Sequence, residues 1–129
     1  MKLDVQFLGD ASKNCIVFAR GQIEPGEVNP VLLFDLASVA PDEKGRRPRT
    51  LLLVSAMWTL QEKMGFYLWL DDGREPGDML LLMESRNFMR LDRPLILDKW
   101  RGKLYIEPFK VDEMKRFWLQ LDFDKAFAK

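Results

Sequence analysis

Apolar and polar residues alternate with a period of two over much of this chain, most cleanly at its two ends. Leu3, Val5 and Phe7 oppose Asp4 and Gln6, and Phe117, Leu119, Leu121 and Phe123 oppose Gln120, Asp122 and Asp124, with Trp118 the exception. Successive side chains of a strand point to opposite sides of a sheet, so both ends read as strands with one wet face. Turn residues punctuate the interval at Gly9-Asp10, Pro25-Gly26, Asn29-Pro30, Pro41-Asp42, Lys44-Gly45, Asp72-Gly73, Pro76-Gly77, Arg93-Pro94 and Arg101-Gly102. Between them stand LDVQFL, NCIVFARGQI, VLLFDL, LLLVSAMWTL, FYLWL, MLLLM, KLYIEPF and FWLQLDF. About eight strands at that spacing predict an all-β, antiparallel, jelly-roll-like β-sandwich.

One stretch fits two periods. In LLLVSAMWTLQEKMG, Ser55, Thr59 and Glu62 would share a helical face that Gly65 could end. A hairpin turning through Gln61 to Gly65 into FYLWL is the favoured alternative, and a short helix is allowed in the loop over residues 35–45. No repeat or linker divides the chain, so residues 1–129 form a single β-sandwich domain. A chain of this length can bury roughly two-thirds of its unfolded surface without a covalent staple.

The central strands break the alternation in an informative way. In FYLWL, Phe66, Leu68 and Leu70 point one way and Tyr67 and Trp69 the other; in MLLLM, Met79, Leu81 and Met83 oppose Leu80 and Leu82. VLLF and LLLV have the same habit. A two-layer sandwich has one inner face per sheet, so large residues on both faces are a surplus. Six such side chains facing water would leave on the order of 10 kcal/mol of burial unrealised, comparable with the whole stability of a small domain. Another protein chain is the expected cover. The contact residues expected on this basis are Tyr67, Trp69, Leu80 and Leu82. Arg86, Phe88, Met89 and Arg90 join them from SRNFMRLDRP, a segment that reads either as interface or as a polar strand edge.

Charge and chemistry narrow the classes. The 20 basic and 20 acidic residues cancel, which disfavours nucleic acid as a partner. Histidine is absent, and with it the commonest general base and metal ligand. The single cysteine, Cys15 in NCIVFA, reads as a small buried apolar residue. The N-terminal MKLDVQFLGD lacks the apolar core of a signal peptide, and no run approaches the roughly 18 apolar residues of a membrane span. The chain is therefore expected to be made in a reducing cytoplasm and to need no membrane.

Three features invite a sharper reading. DDGREPGD sets Asp71, Asp72, Glu75 and Asp78 between two strands, but it lacks the ligand spacing of an EF-hand and puts Arg74 among the carboxylates. It reads as a turn, with no metal or other cofactor expected. EKGRRPR carries Lys44, Arg46, Arg47 and Arg49 without a helix start behind it. It reads as a solvated, mobile loop, with docking to an acidic partner or nucleic acid the alternative. Trp58, Trp69, Trp100 and Trp118 are numerous enough to make a sugar-binding platform, so a carbohydrate-binding module using exposed tryptophans is the alternative function. An enzyme is not expected, because the acids fall mostly in turns where nothing desolvates them.

The segments MWTLQEKMGFYLWLDD, MESRNFMRLDRPL, GKLYIEPFK and KRFWLQLDFDK carry a resemblance. From about Leu51 to Lys125 their order is similar to that of small β-sandwich virion proteins of tailed bacteriophages, of the kind that decorate or cement the capsid. In that order a hairpin arm leads through a tight turn to an apolar strand, then an arginine-rich segment, a Gly-led strand and an alternating strand closing on Lys. The resemblance implies a non-enzymatic structural protein, made in the host cytoplasm and built into the virion. Its partner would be protein, as a homo-oligomer or a capsid lattice or both. It brings no catalytic residues to carry over.

Overall fold

The computed structural model describes residues 1–26, 29–60, 65–71, 78–84, 86–96, 101–109, 111 and 113–127, with backbone alone for residue 60, for 78–84 and for 86–96. Nine antiparallel strands run through them. They are β1 (Lys2–Asp10), β2 (Asn14–Ile23), β3 (Val31–Asp35), β4 (Thr50–Leu60), β5 (Gly65–Leu70), β6 (Asp78–Glu84), β7 (Arg86–Ile96), β8 (Lys103–Phe109) and β9 (Lys115–Ala126). One five-stranded sheet has the order β1-β2-β9-β4-β7, and a four-stranded sheet has β3-β8-β5-β6.

The pairing has a simple origin. Strand β2 pairs with β9, β3 with β8, β4 with β7 and β5 with β6. These nested pairs belong to one long double hairpin folded back between β5 and β6. Rolling that hairpin up brings β4 onto β9 and β5 onto β8, which closes two sheets. The result is a jelly roll, with β1 added outside β2.

Alternation explains what lies between the sheets. On β9, Phe117, Leu119, Leu121 and Phe123 are buried, as are Phe66, Leu68 and Leu70 on β5 and Leu104 and Ile106 on β8. The layers meet through rings: Phe66 lies 4.5 Å from Phe117, and Phe34 lies 5.6 Å from Phe123. Gly21 makes close approach possible on β2. A Cβ there would stand 2.5 Å from the Lys2 carbonyl and 2.8 Å from the Phe117 ring, so only hydrogen fits.

Several expectations hold and others need correction. Residues 51–60 are strand, not helix. They do not form a hairpin with FYLWL, however, because β4 and β5 lie in different sheets. Each has a buried row, Leu51, Leu53 and Trp58 on one and Phe66, Leu68 and Leu70 on the other. Crossing between layers lets both rows face the one core. The segment SRNFMRLDRP supplies a ninth strand, β7, at an edge of the five-stranded sheet, where Pro94 removes no ladder bond that a central strand would need. Part of the apolar surplus disappears into bulges. On β3 the register shifts between Leu32 and Phe34, and the consecutive Leu33 and Phe34 are both buried. The short helix of the 35–45 loop is a single 3-10 turn, Leu36–Ser38, capped by the Asp35 carboxylate, which accepts from the Ala37 amide at 3.0 Å.

Candidate interaction surface

The outer face of the four-stranded sheet is built by the same alternation that fills the core. With Phe66, Leu68 and Leu70 turned in, β5 turns Tyr67 and Trp69 out; with Leu104 and Ile106 turned in, β8 turns out Tyr105, Glu107 and Phe109. Register sets Tyr67 beside Glu107 and Trp69 beside Tyr105. The Tyr67 ring lies 4.7 Å from Phe109 and 5.7 Å from Trp69. Trp69 Nε1 donates to Glu107 Oε2 at 2.8 Å, which satisfies the one polar atom of the indole. All five side chains are half-buried. The result is an aromatic band with a single carboxylate, one oxygen of which accepts from the Trp69 indole.

Of the residues expected to form the contact, Tyr67 and Trp69 lie on this face. Leu80 and Leu82 lie on β6 of the same sheet, though their side chains are outside the described residues. Backbone register pairs Leu82 with Tyr67, but a bulge leaves Leu80 without a counterpart and sets Met79 opposite Trp69. Arg86, Phe88, Met89 and Arg90 are not on this surface at all: β7 belongs to the other sheet, and their side chains too are outside the described residues. Within β7, Met89 is in register with Ala56, a core position, whereas Phe88 is in register with half-buried Met57. The chain changes layer between β6 and β7, and contiguity in sequence therefore does not become contiguity in space. Tyr105, Glu107 and Phe109 were missed, although the alternation of KLYIEPF marks them as one face.

The described tryptophans are dispersed. Trp58 is in the core, Trp69 is on the outer face of the four-stranded sheet, and Trp118 is on the outer face of the other, stacked on Phe18 at 6.1 Å and 28°. Trp100 lies outside the described residues. Among the described residues the coplanar row that a sugar platform requires is not formed.

The cationic loop is held, not loose, and the cause is Asp42. Its carboxylate accepts from the amides of Lys44 and Arg46 at 3.0 and 2.8 Å and from Arg46 Nε at 2.7 Å. Desolvation pulls the Asp42 carboxyl upward, but those hydrogen bonds and the Arg46 charge outweigh it and hold the group below the usual carboxylate range. Arg46 also lies over the Phe127 ring at 5.2 Å, and Arg47 donates to the carbonyls of Ala37 and Val39 at 3.2 and 3.3 Å. The Arg49 amide donates to the Ala126 carbonyl at 2.7 Å. Two of the four cations thus tie the loop to its own domain. Beside it lies an open cavity of about 560 Å³, with Lys13, Lys44, Glu43, Asp124 and Phe127 in its wall.

Behind that cavity the end of β9 is locked to β1. Lys125 Nζ, fully buried, donates to Asp10 Oδ1 and, at 2.8 Å, to the Ala40 carbonyl, while Asp10 Oδ2 accepts from the Ala40 amide. Every polar atom of the pair facing the interior has a partner, as a buried charge requires. Cys15, in register with Asp10, is buried, and desolvation pushes its thiol up to about 11, with the Asp10 charge adding to the shift and Lys125 opposing it. A thiol so protonated is a poor nucleophile. Of the acidic turn, Asp72 and Glu75 lie outside the described residues; Asp71 ties the β5 end to residues 101–103 through its backbone. No three His, Cys, Asp or Glu side chains gather as a metal site among the described residues.

Fold and surface together define a class: an antiparallel jelly-roll sandwich with an aromatic outer face on its smaller sheet. No protein-family model, curated protein or solved structure matches the chain. Among the described residues no helix is long and apolar enough to cross a membrane.

Proposed function

We propose that this protein is a non-enzymatic assembly subunit that works by protein–protein contact, decorating or stabilising the capsid of a tailed bacteriophage virion. The observation that carries the contact is the half-buried band of Tyr67, Trp69, Tyr105 and Phe109. Aromatic side chains of this kind dominate the central pockets of protein interfaces. The capsid setting is supported by the resemblance of the segments from Leu51 to Lys125 to decoration proteins. Jelly rolls serve in viral shells and equally in lectins, so the fold alone decides neither.

The test is co-sedimentation of the purified protein with assembled phage capsid shells, alongside light scattering of the protein alone. The expected result is association that Trp69→Ala and Tyr67→Ala weaken at least tenfold while far-UV circular dichroism is kept. A strict monomer at high micromolar concentration that leaves shells bare would overturn the proposal.

Carbohydrate binding is the second reading, favoured by one observation: the Trp69 indole has a carboxylate, Glu107, beside it, and aromatic faces with acids are how proteins hold sugars. The rings are tilted by 44° and 32°, which is poor for a flat sugar row. Tryptophan fluorescence titrated across a glycan panel separates the two, flat curves removing the sugar reading.

A further inference from the structure

Strand β1 is a sheet edge with unfinished business on both of its sides. It pairs with β2 along Lys2 to Phe7, and among the described residues no strand pairs with its other side. A row of backbone N–H and C=O groups is therefore turned outward, which is a template for a further strand. The same strand overhangs the smaller sheet. Leu3, Val5 and Phe7 point toward the core and pack against it, with Phe7 edge-on to Phe34 at 6.1 Å, yet all three stay half-buried where Val17 and Ala19 of β2 are fully buried. On the opposite face Leu8 is 55% exposed, more than Leu32 or Met114, the other exposed large apolar side chains among the described residues.

We infer that β1 pairs antiparallel with the β1 of a second copy of this chain, about a two-fold axis through Val5, making one continuous ten-stranded sheet. The register follows from the sequence. Residues on one face of an antiparallel pair stay on one face only if the two residue numbers sum to an even number. The sum that engages all of Lys2 to Leu8 sets Val5 opposite Val5, Leu3 opposite Phe7, Asp4 opposite Gln6 and Lys2 opposite Leu8. The apolar row then continues unbroken along the core side of both copies. The carboxylate of Asp4 meets an amide, not a like charge, and the Lys2 stem covers exposed Leu8. A sum two lower would set Asp4 against Asp4, which electrostatics disfavours. The bulge between Phe7 and Gly9 ends the pairing beyond Leu8, so the interface is short and the dimer weak.

This surface is distinct from the aromatic face, and the test keeps them apart. Sedimentation equilibrium of the full chain should show a dimer at high micromolar concentration. Val5→Lys, which sets two charges face to face on the axis while letting each snorkel, should return a monomer with an unchanged circular dichroism spectrum. Val5→Cys offers a second readout in case that variant does not fold. Opposed residues of an antiparallel pair have Cα atoms about 4.5 or 5.5 Å apart, and both values suit a disulfide. Mild oxidation should give a covalent dimer from Val5→Cys and none from Leu32→Cys on the edge of the other sheet, native Cys15 being buried and silent. A monomer in unmodified protein, equal cross-linking from both variants, or a dimer abolished by Trp69→Ala would each overturn the edge pairing. The last outcome would instead make the aromatic face the contact between copies.

Discussion

The two sheets obey one alternation rule and turn very different faces outward. Across β5 and β8 the outward positions are Tyr67, Trp69, Tyr105 and Phe109, with Glu107 among them and Lys103 at the start of β8 as the charges. Across β1, β2 and β9 they include Asp4, Arg20, Arg116, Gln120 and Asp122, with Phe18 and Trp118 stacked among them. Both faces are backed by the same core, so folding alone does not require the difference. Outward positions of a sandwich are nearly free of packing constraint, and what occupies them bears on what they meet: on the proposal above, a protein at the aromatic band of the smaller sheet and water at the charged positions of the larger.

The harshest way to break the comparison is to remove what both faces share. Phe66 is fully buried and lies 4.5 Å from Phe117, bridging the layers. Phe66→Ala should cost about 3–5 kcal/mol in urea unfolding, because transfer energy and a cavity term add. A cost under about 1 kcal/mol would mean that the sheets do not rest on one another, and the contrast between their outer faces would have no common reference.

Next in size is a charge that no face exposes. Lys125 is fully buried with Asp10 and the Ala40 carbonyl as partners. Lys125→Met should destabilise by about 3–5 kcal/mol, since Asp10 keeps its burial and loses its cation. Asp10→Leu combined with Lys125→Met should recover part of that loss, because no unpaired charge remains, although the Ala40 amide and carbonyl lose their partners. Thermal melts of the two single variants and the double variant close the cycle; three additive losses would show that the ion pair is not the coupled unit its geometry implies.

Layer membership was the part of this molecule that local pattern could not carry. Most strand positions and the buried rows of β5 and β9 were legible, since each follows from a period of two and from turn residues within a few positions. Pairing partners were not. A strand such as β4 shows the same period whether its neighbour is β5 or β9, and the choice is made by a core gathering residues more than sixty positions apart, as Leu53 and Phe123 are. Bulges were hidden for a related reason. The one-residue slip that buries both Leu33 and Phe34, or that sets Met79 opposite Trp69, depends on twist and cross-strand packing. The expected contact set therefore divides between the two sheets, and the alternation that places Tyr105 and Phe109 beside Tyr67 and Trp69 went unread.

Trp69 sharpens the comparison from the aromatic side. Its indole donates to Glu107 and its ring lies 5.7 Å from Tyr67. Trp69→Ala should cost the isolated chain only about 1–2 kcal/mol, from one hydrogen bond and one aromatic contact at a half-wet site. The loss of association with shells should be much larger in proportion. If instead stability collapses and association is untouched, the band is an outlying part of the core and the smaller sheet is no more partner-facing than the larger.

The smallest effect belongs to the larger sheet. Arg20 Nε lies 3.4 Å from Asp4 Oδ2, and the two side chains are 67% and 52% exposed. Water screens such a pair well, and holding two long side chains in one geometry loses entropy, so Arg20→Ala should change stability by less than about 1 kcal/mol. What remains should vanish in 1 M salt, where the screening length falls to about 3 Å. The informative case is the opposite outcome. A loss of about 2 kcal/mol or more that salt does not remove would place Arg20 in packing, not in water, its stem lying along Trp118, with which it is in register. The face read as solvent-facing would then be partly shielded, and only the aromatic content would still separate the two sides of the sandwich.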